Sequence, residues 1–86
     1  MSGRRFPPLT PDEVRDILRA RGFILDRTRG AHEQWRAIIK DQPRVVTVDA
    51  HYKIFDQSLI KRLISQSGLT REEFYSATKR TAKKII

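Results

Sequence analysis

The chain has 86 residues, and 18 Lys and Arg against 10 Asp and Glu leave a formal net charge of +8 at pH 7. One domain is expected, because a second core could not bury enough apolar surface to offset chain entropy. The absence of cysteine excludes disulfides and thiolate-held metals, and short apolar runs exclude a membrane-spanning helix. Met1 to Phe6 carries Arg4 and Arg5 and no apolar stretch of the kind a signal peptide needs. The expectation is a small, soluble, cytoplasmic domain with a negatively charged partner, nucleic acid first.

Residues 1–9, with Arg4, Arg5, Pro7 and Pro8, read as an extended, poorly ordered arm. Thr10-Pro11-Asp12-Glu13 is a helix start. The threonine hydroxyl can accept from a free N–H of the first turn, proline loses nothing at the first position, and Glu13 completes a capping box. Val14, Ile17 and Leu18 follow at helical spacing and Gly22 ends the run, which predicts a helix over 11–21. Residues 23–29 read as a strand with a basic end, Gly30-Ala31 as a turn, and 32–39 as a second strand. Asp41-Gln42-Pro43 turns the chain again, and the β-branched run 44–50 is a third strand. A second helix is predicted over 57–67, capped by Asp56 or Ser58 and stopped by Gly68. Thr70-Arg71-Glu72-Glu73 repeats the capping box and opens a short helix with Phe74. The domain is therefore expected over 10–76, with 77–86 (Lys79, Arg80, Lys83, Lys84) a basic tail. The order α-β-β-β-α suggests an α+β fold with helices on one face of an antiparallel sheet.

A hairpin about residues 40–43, with Lys40 opposite Pro43, would set Trp35 against Val48 and Ala37 against Val46 on an apolar face. The other face would pair His32 with His51, Gln34 with Asp49 and Arg36 with Thr47, leaving Ile38 and Val45 as an apolar exception.

His32 is the residue with the most chemistry. A histidine ring can take or give a proton in phosphodiester cleavage, and Arg27, Arg29 and Arg36 nearby could hold the phosphate. The plainer alternative is a surface histidine on a strand. In the register above His51 would neighbour it and could serve as a second proton carrier, or simply face water. With Asp49 as the one further candidate ligand, a zinc site is not expected. Lys53, Lys61 and Arg62 lie in the loop and second helix, whose N-terminus could also meet phosphates. Trp35 falls on the apolar face and reads as core, whereas Tyr52 and Phe55 read as stacking or partner-contact residues.

Gly22-Phe23, then Arg27-Thr28-Arg29-Gly30-Ala31-His32, resembles the GF…R-x-x-G-S-H stretch of HicA toxins. Val46 to His51 resembles their next strand with its terminal histidine. Ile64-Ser65-Gln66-Ser67-Gly68-Leu69-Thr70 followed by Glu73-Phe74 resembles their closing signature. The likeness spans roughly residues 14–75. It departs at Ala31, which replaces the usual serine, and at Asp49, where many members have proline.

The resemblance implies a fold like that of double-stranded-RNA-binding domains. It also implies an mRNA interferase restrained by a HicB-type antitoxin, with the catalytic histidine at His32. On that footing His32 is expected to act as general base on a ribose 2′-OH of single-stranded RNA without a metal or cofactor. Arg27, Arg29, Arg36, Lys53 and Lys61 would bind the RNA. The competing expectations are a non-catalytic RNA-binding module of the same fold, and a DNA-binding or protein-interaction subunit using Ile38, Val45, Tyr52 and Phe55.

Overall fold

Capping chemistry sets the helix starts in the computed structural model, which describes residues 5–86. The Thr10 hydroxyl accepts from the Glu13 N–H at 3.2 Å, while the Glu13 carboxylate accepts from the Thr10 N–H at 2.9 Å. This box opens α1 (Pro11–Ala20). Next come β1 (Ile24–Arg29), β2 (His32–Ile39) and β3 (Gln42–Asp49), then α2 (Gln57–Ser67), α3 (Arg71–Tyr75) and α4 (Lys79–Ala82). Asp56 caps α2, and Thr70 with Glu73 forms the second box at α3. The strands make one antiparallel sheet in the order β1-β2-β3, so the α+β architecture expected from the pattern is the one formed.

Alternation along the strands separates two faces. The inner face supplies Trp35, Ile39, Val46 and Val48, which are buried with Ile17, Leu18, Ile60 and Leu63 of the helices. Trp35 is therefore core, as its position in the alternation predicted. Its indole N–H donates to the Glu33 carboxylate at 3.1 Å. Glu33 in turn accepts a two-pronged bond from the Arg15 guanidinium, at 3.0 and 2.8 Å, which fastens α1 to β2. That bond holds the Glu33 carboxyl below its usual range, against a smaller opposing effect of burial.

The hairpin register differs from the expected one by two residues. Trp35 lies opposite Val46 and His32 opposite Asp49, not His51. The turn is the cause. Lys40 and Asp41 both take positive φ, 52° and 66°, closing a two-residue turn in which β3 begins at Gln42. A shift of two preserves which side chains face the core, so the face assignment survives while every cross-strand partner changes.

Both ends of the chain pack more extensively than expected. Of the arm, residues 1–4, with Arg4, lie outside the described residues, but Leu9 is fully buried and pairs with Phe55 through backbone bonds of 3.2 and 2.7 Å. The buried Tyr75 hydroxyl donates to the Pro7 carbonyl at 2.7 Å. The tail folds back as α4: Thr81 is buried and its hydroxyl donates to the Tyr75 carbonyl at 2.6 Å. Arg80 and Lys84 reach the Glu13 carboxylate at 3.4 and 3.7 Å. Packing thus extends from Phe6 to Ile85 and passes both boundaries read from the sequence.

Candidate functional site

His32 opens β2 directly after the Gly30-Ala31 turn, where Gly30 takes φ +58°. It lies on the outer face between Arg29 of β1 and Asp49 of β3, its partners in register. A bulge at Asp26 makes this row possible. One extra residue between Leu25 and Arg27 flips the alternation, so that Arg27 and Arg29 join His32 on the outer face. Without it their side chains would point toward the core.

The imidazole is open to solvent, with 61% of the side chain exposed, and its Nε2 stands 3.4 Å from Asp49 Oδ2. The other Asp49 oxygen accepts the His51 N–H at 2.9 Å, so the carboxylate is held from behind while it faces the ring. Ala50 N–H donates to the Ala31 carbonyl at 2.7 Å and ties the loop after β3 to the turn before His32. His51 itself falls in the turn beyond β3. The register that suggested a histidine pair is not the one formed, and the position opposite His32 belongs to a carboxylate.

Beside this row runs a cleft of about 240 Å3 between the sheet and α2. Leu59, Arg62 and Gln66, on one side of α2, wall it together with Tyr52 from the loop, and His32 and Asp49 lie at its margin. The Gln66 side-chain oxygen accepts the Thr47 N–H at 3.1 Å, which satisfies the open edge of β3.

The expected RNA-binding cations are distributed unevenly about this cleft. Arg27 and Arg29 share the outer face with His32. Arg36 lies four residues further along β2 and pairs with Asp26 at 2.8 Å, so it does not gather at the histidine. Lys53 is exposed in the loop before α2. Lys61 points the other way, over the Phe6 ring at 5.3 Å, while its neighbour Arg62 enters the cleft. Among the described residues Arg27, Arg29, Lys53 and Arg62 engage no carboxylate. The N-terminus of α2 is occupied by the Asp56 carboxylate, which accepts the Leu59 N–H at 3.0 Å and leaves that end poorly suited to phosphate. Tyr52 is 41% exposed, but Phe55 is 2% exposed and belongs to the core, because its pairing with Leu9 pulls it inward.

Sequence reasoning left Asp49 and Gln66 out of the RNA site and grouped Arg62 with the cations near the second helix without assigning it to RNA. Leu59, Arg62 and Gln66 recur at spacings of three and four, the signal of one helix face. Asp49 could be found only with the correct hairpin register.

Ile24 and Ile38 are each 68% exposed at the far end of the outer face, with Val45 also exposed, so the apolar exception read from the sequence remains open to solvent. In this register Ile38 lies opposite Pro43 and Val45 opposite Arg36.

No curated protein matches the chain. A family profile described as HicA toxin of bacterial toxin-antitoxin matches residues 11–69, more than half the sequence. That span runs from the first residue of α1 to the one after the Gly68 stop, and includes the His32 row and the α2 wall. The chain belongs to the HicA toxin family, and is thus a toxin of a toxin-antitoxin system whose partner is an antitoxin.

Proposed function

We propose that this toxin is a metal-independent endoribonuclease, an mRNA interferase, and that His32 is its general base. The observation that carries the reading is an exposed imidazole set between Arg29, a guanidinium without a carboxylate partner among the described residues, and a braced carboxylate, Asp49, at the mouth of a cleft. His32 accepts the proton of a ribose 2′-OH. The 2′-oxygen forms a bond to the adjacent phosphorus and the bond from phosphorus to the 5′-oxygen breaks. A 2′,3′-cyclic phosphate remains, and the departing 5′-oxygen takes a proton from water. Asp49, facing Nε2, holds the ring and offsets the charge it gains, leaving Nδ1 to meet the substrate. Arg27, Arg29 and Arg62 draw in the phosphate backbone through charge without reading sequence, Arg29 being nearest the reacting bond. The need for a reachable 2′-OH and an in-line geometry favours single-stranded RNA. The restraining partner is a HicB-type antitoxin.

A defined single-stranded RNA incubated in EDTA with wild type and His32→Ala tests this directly. The wild type is expected to cleave, and the variant to be slower by about 100-fold or more. Equal cleavage by both removes His32 from the chemistry, and loss of wild-type cleavage in EDTA would replace this mechanism with a metal-dependent one. Binding without turnover in any buffer would favour a non-catalytic RNA-binding module.

A further inference from the structure

The cleft beside His32 has a chemical character of its own. At about 240 Å3 it lies below the roughly 300–1,000 Å3 of pockets that take drug-sized ligands, a size suited to one flat heterocycle. Its walls combine an exposed aromatic ring, Tyr52, an aliphatic side chain, Leu59, and two polar side chains of α2, Gln66 and Arg62. The Gln66 amide is oriented by the backbone: its oxygen is committed to the Thr47 N–H, so its NH2 group is the part left to donate. Arg62 adds a guanidinium without a carboxylate partner among the described residues. The polar offer of the α2 wall is therefore one of donors.

We infer that this cleft is a nucleobase subsite, which receives an unpaired base flanking the bond that His32 attacks. Tyr52 stacks on the base, the Gln66 NH2 group donates to a carbonyl oxygen on its edge, and Arg62 takes an adjoining phosphate. A base bearing a carbonyl oxygen is favoured over adenine, which has none. The inference rests on the ribonuclease reading and adds to it a source of sequence preference.

The test uses DNA strands holding a single ribonucleotide, so that one bond can be cut, with each of the four bases placed in turn at and beside it. Wild type is expected to cut strands with adenine in the subsite about tenfold more slowly. Gln66→Glu keeps an oxygen for the Thr47 N–H while replacing the donors with an acceptor, and it is expected to erase or invert that ranking. Tyr52→Ala is expected to raise KM about tenfold, and Tyr52→Phe to restore it. A parallel measurement of affinity for all-DNA strands, which cannot be cut, gives the same ranking without chemistry. Cleavage that ignores the flanking base in wild type and Gln66→Glu alike overturns the subsite and leaves the ribonuclease reading standing. If no strand is cut, the ribonuclease reading fails. The affinity ranking then decides the subsite alone: a ranking lost in Gln66→Glu supports it, and no ranking overturns it.

Discussion

Glu33 and His32 are neighbours in the chain but belong to opposite sides of the sheet, and their surroundings differ in kind. Glu33, on the inner side, is held by Arg15 and Trp35 and fastens a helix to a strand. His32, on the outer side, faces Asp49 at 3.4 Å and is mostly exposed. Arg15 is likewise held by Asp12 and Glu33, whereas Arg27 and Arg29 engage no carboxylate among the described residues. Around these two neighbours, pairing commits charge to stability on the inner side and leaves it available to a ligand on the outer side, where the Arg36–Asp26 pair lies further along the sheet. Substitutions on the two faces are thus expected to separate folding from activity.

The largest effect is expected on the outer face. His32→Ala should reduce RNA cleavage by about 100-fold or more while thermal unfolding stays within about 1 °C of wild type, since an exposed side chain is removed. A large fall in melting temperature would place His32 among the residues that hold the fold. Gly68→Ala is the inner-face counterpart. Gly68 ends α2 at φ +75°, and an added Cβ would lie 2.6 Å from Arg44 Nε, a buried atom without a hydrogen-bond partner among the described residues. A loss of about 2 kcal/mol in urea unfolding is expected, with unchanged activity per folded molecule.

Glu33→Gln should cost about 1.5 kcal/mol and also change the pH profile of stability. The folded carboxyl lies below its ordinary value of 4.5, mainly through the Arg15 bond. Its contribution is therefore complete above that value and is lost as pH falls through the lower folded value. Wild type and variant are expected to converge in stability in acid; a constant gap down to low pH would contradict the pairing. Asp49→Asn should lower kcat about tenfold without weakening RNA binding, a split visible in steady-state kinetics. An unchanged kcat would remove the carboxylate from the mechanism. The smallest effect belongs to Lys40→Ala, which removes an exposed ion pair of 2.8 Å to Glu73 and should leave the urea midpoint indistinguishable from wild type.

The helices were legible because their signals are local. Two capping boxes and the apolar residues at helical spacing placed α1 and α2 nearly to the residue and gave the start of α3. The faces of β2 and β3 were legible too, since parity survives a shift of two. The partners across the hairpin were not, because the backbone angles of Lys40 and Asp41 decide them, and neither residue is the glycine that usually advertises such a turn. The packing of the arm and tail was hidden for a related reason. Pro7 and Leu9 find their places through distant contacts with Tyr75 and Phe55, which no short stretch of sequence reveals, and Thr81 packs where Tyr75 places it. His32 could be read in advance; the carboxylate and the helix wall that give it a setting could not.

The chemical ends of the RNA fragments test the central proposal most directly. A uniform single-stranded RNA cut in EDTA and resolved by mass spectrometry should give 2′,3′-cyclic phosphate on one fragment and a free 5′-hydroxyl on the other. Fragments ending in 3′-hydroxyl and 5′-phosphate would show water, not the ribose 2′-oxygen, as the nucleophile, and would contradict the role given to His32.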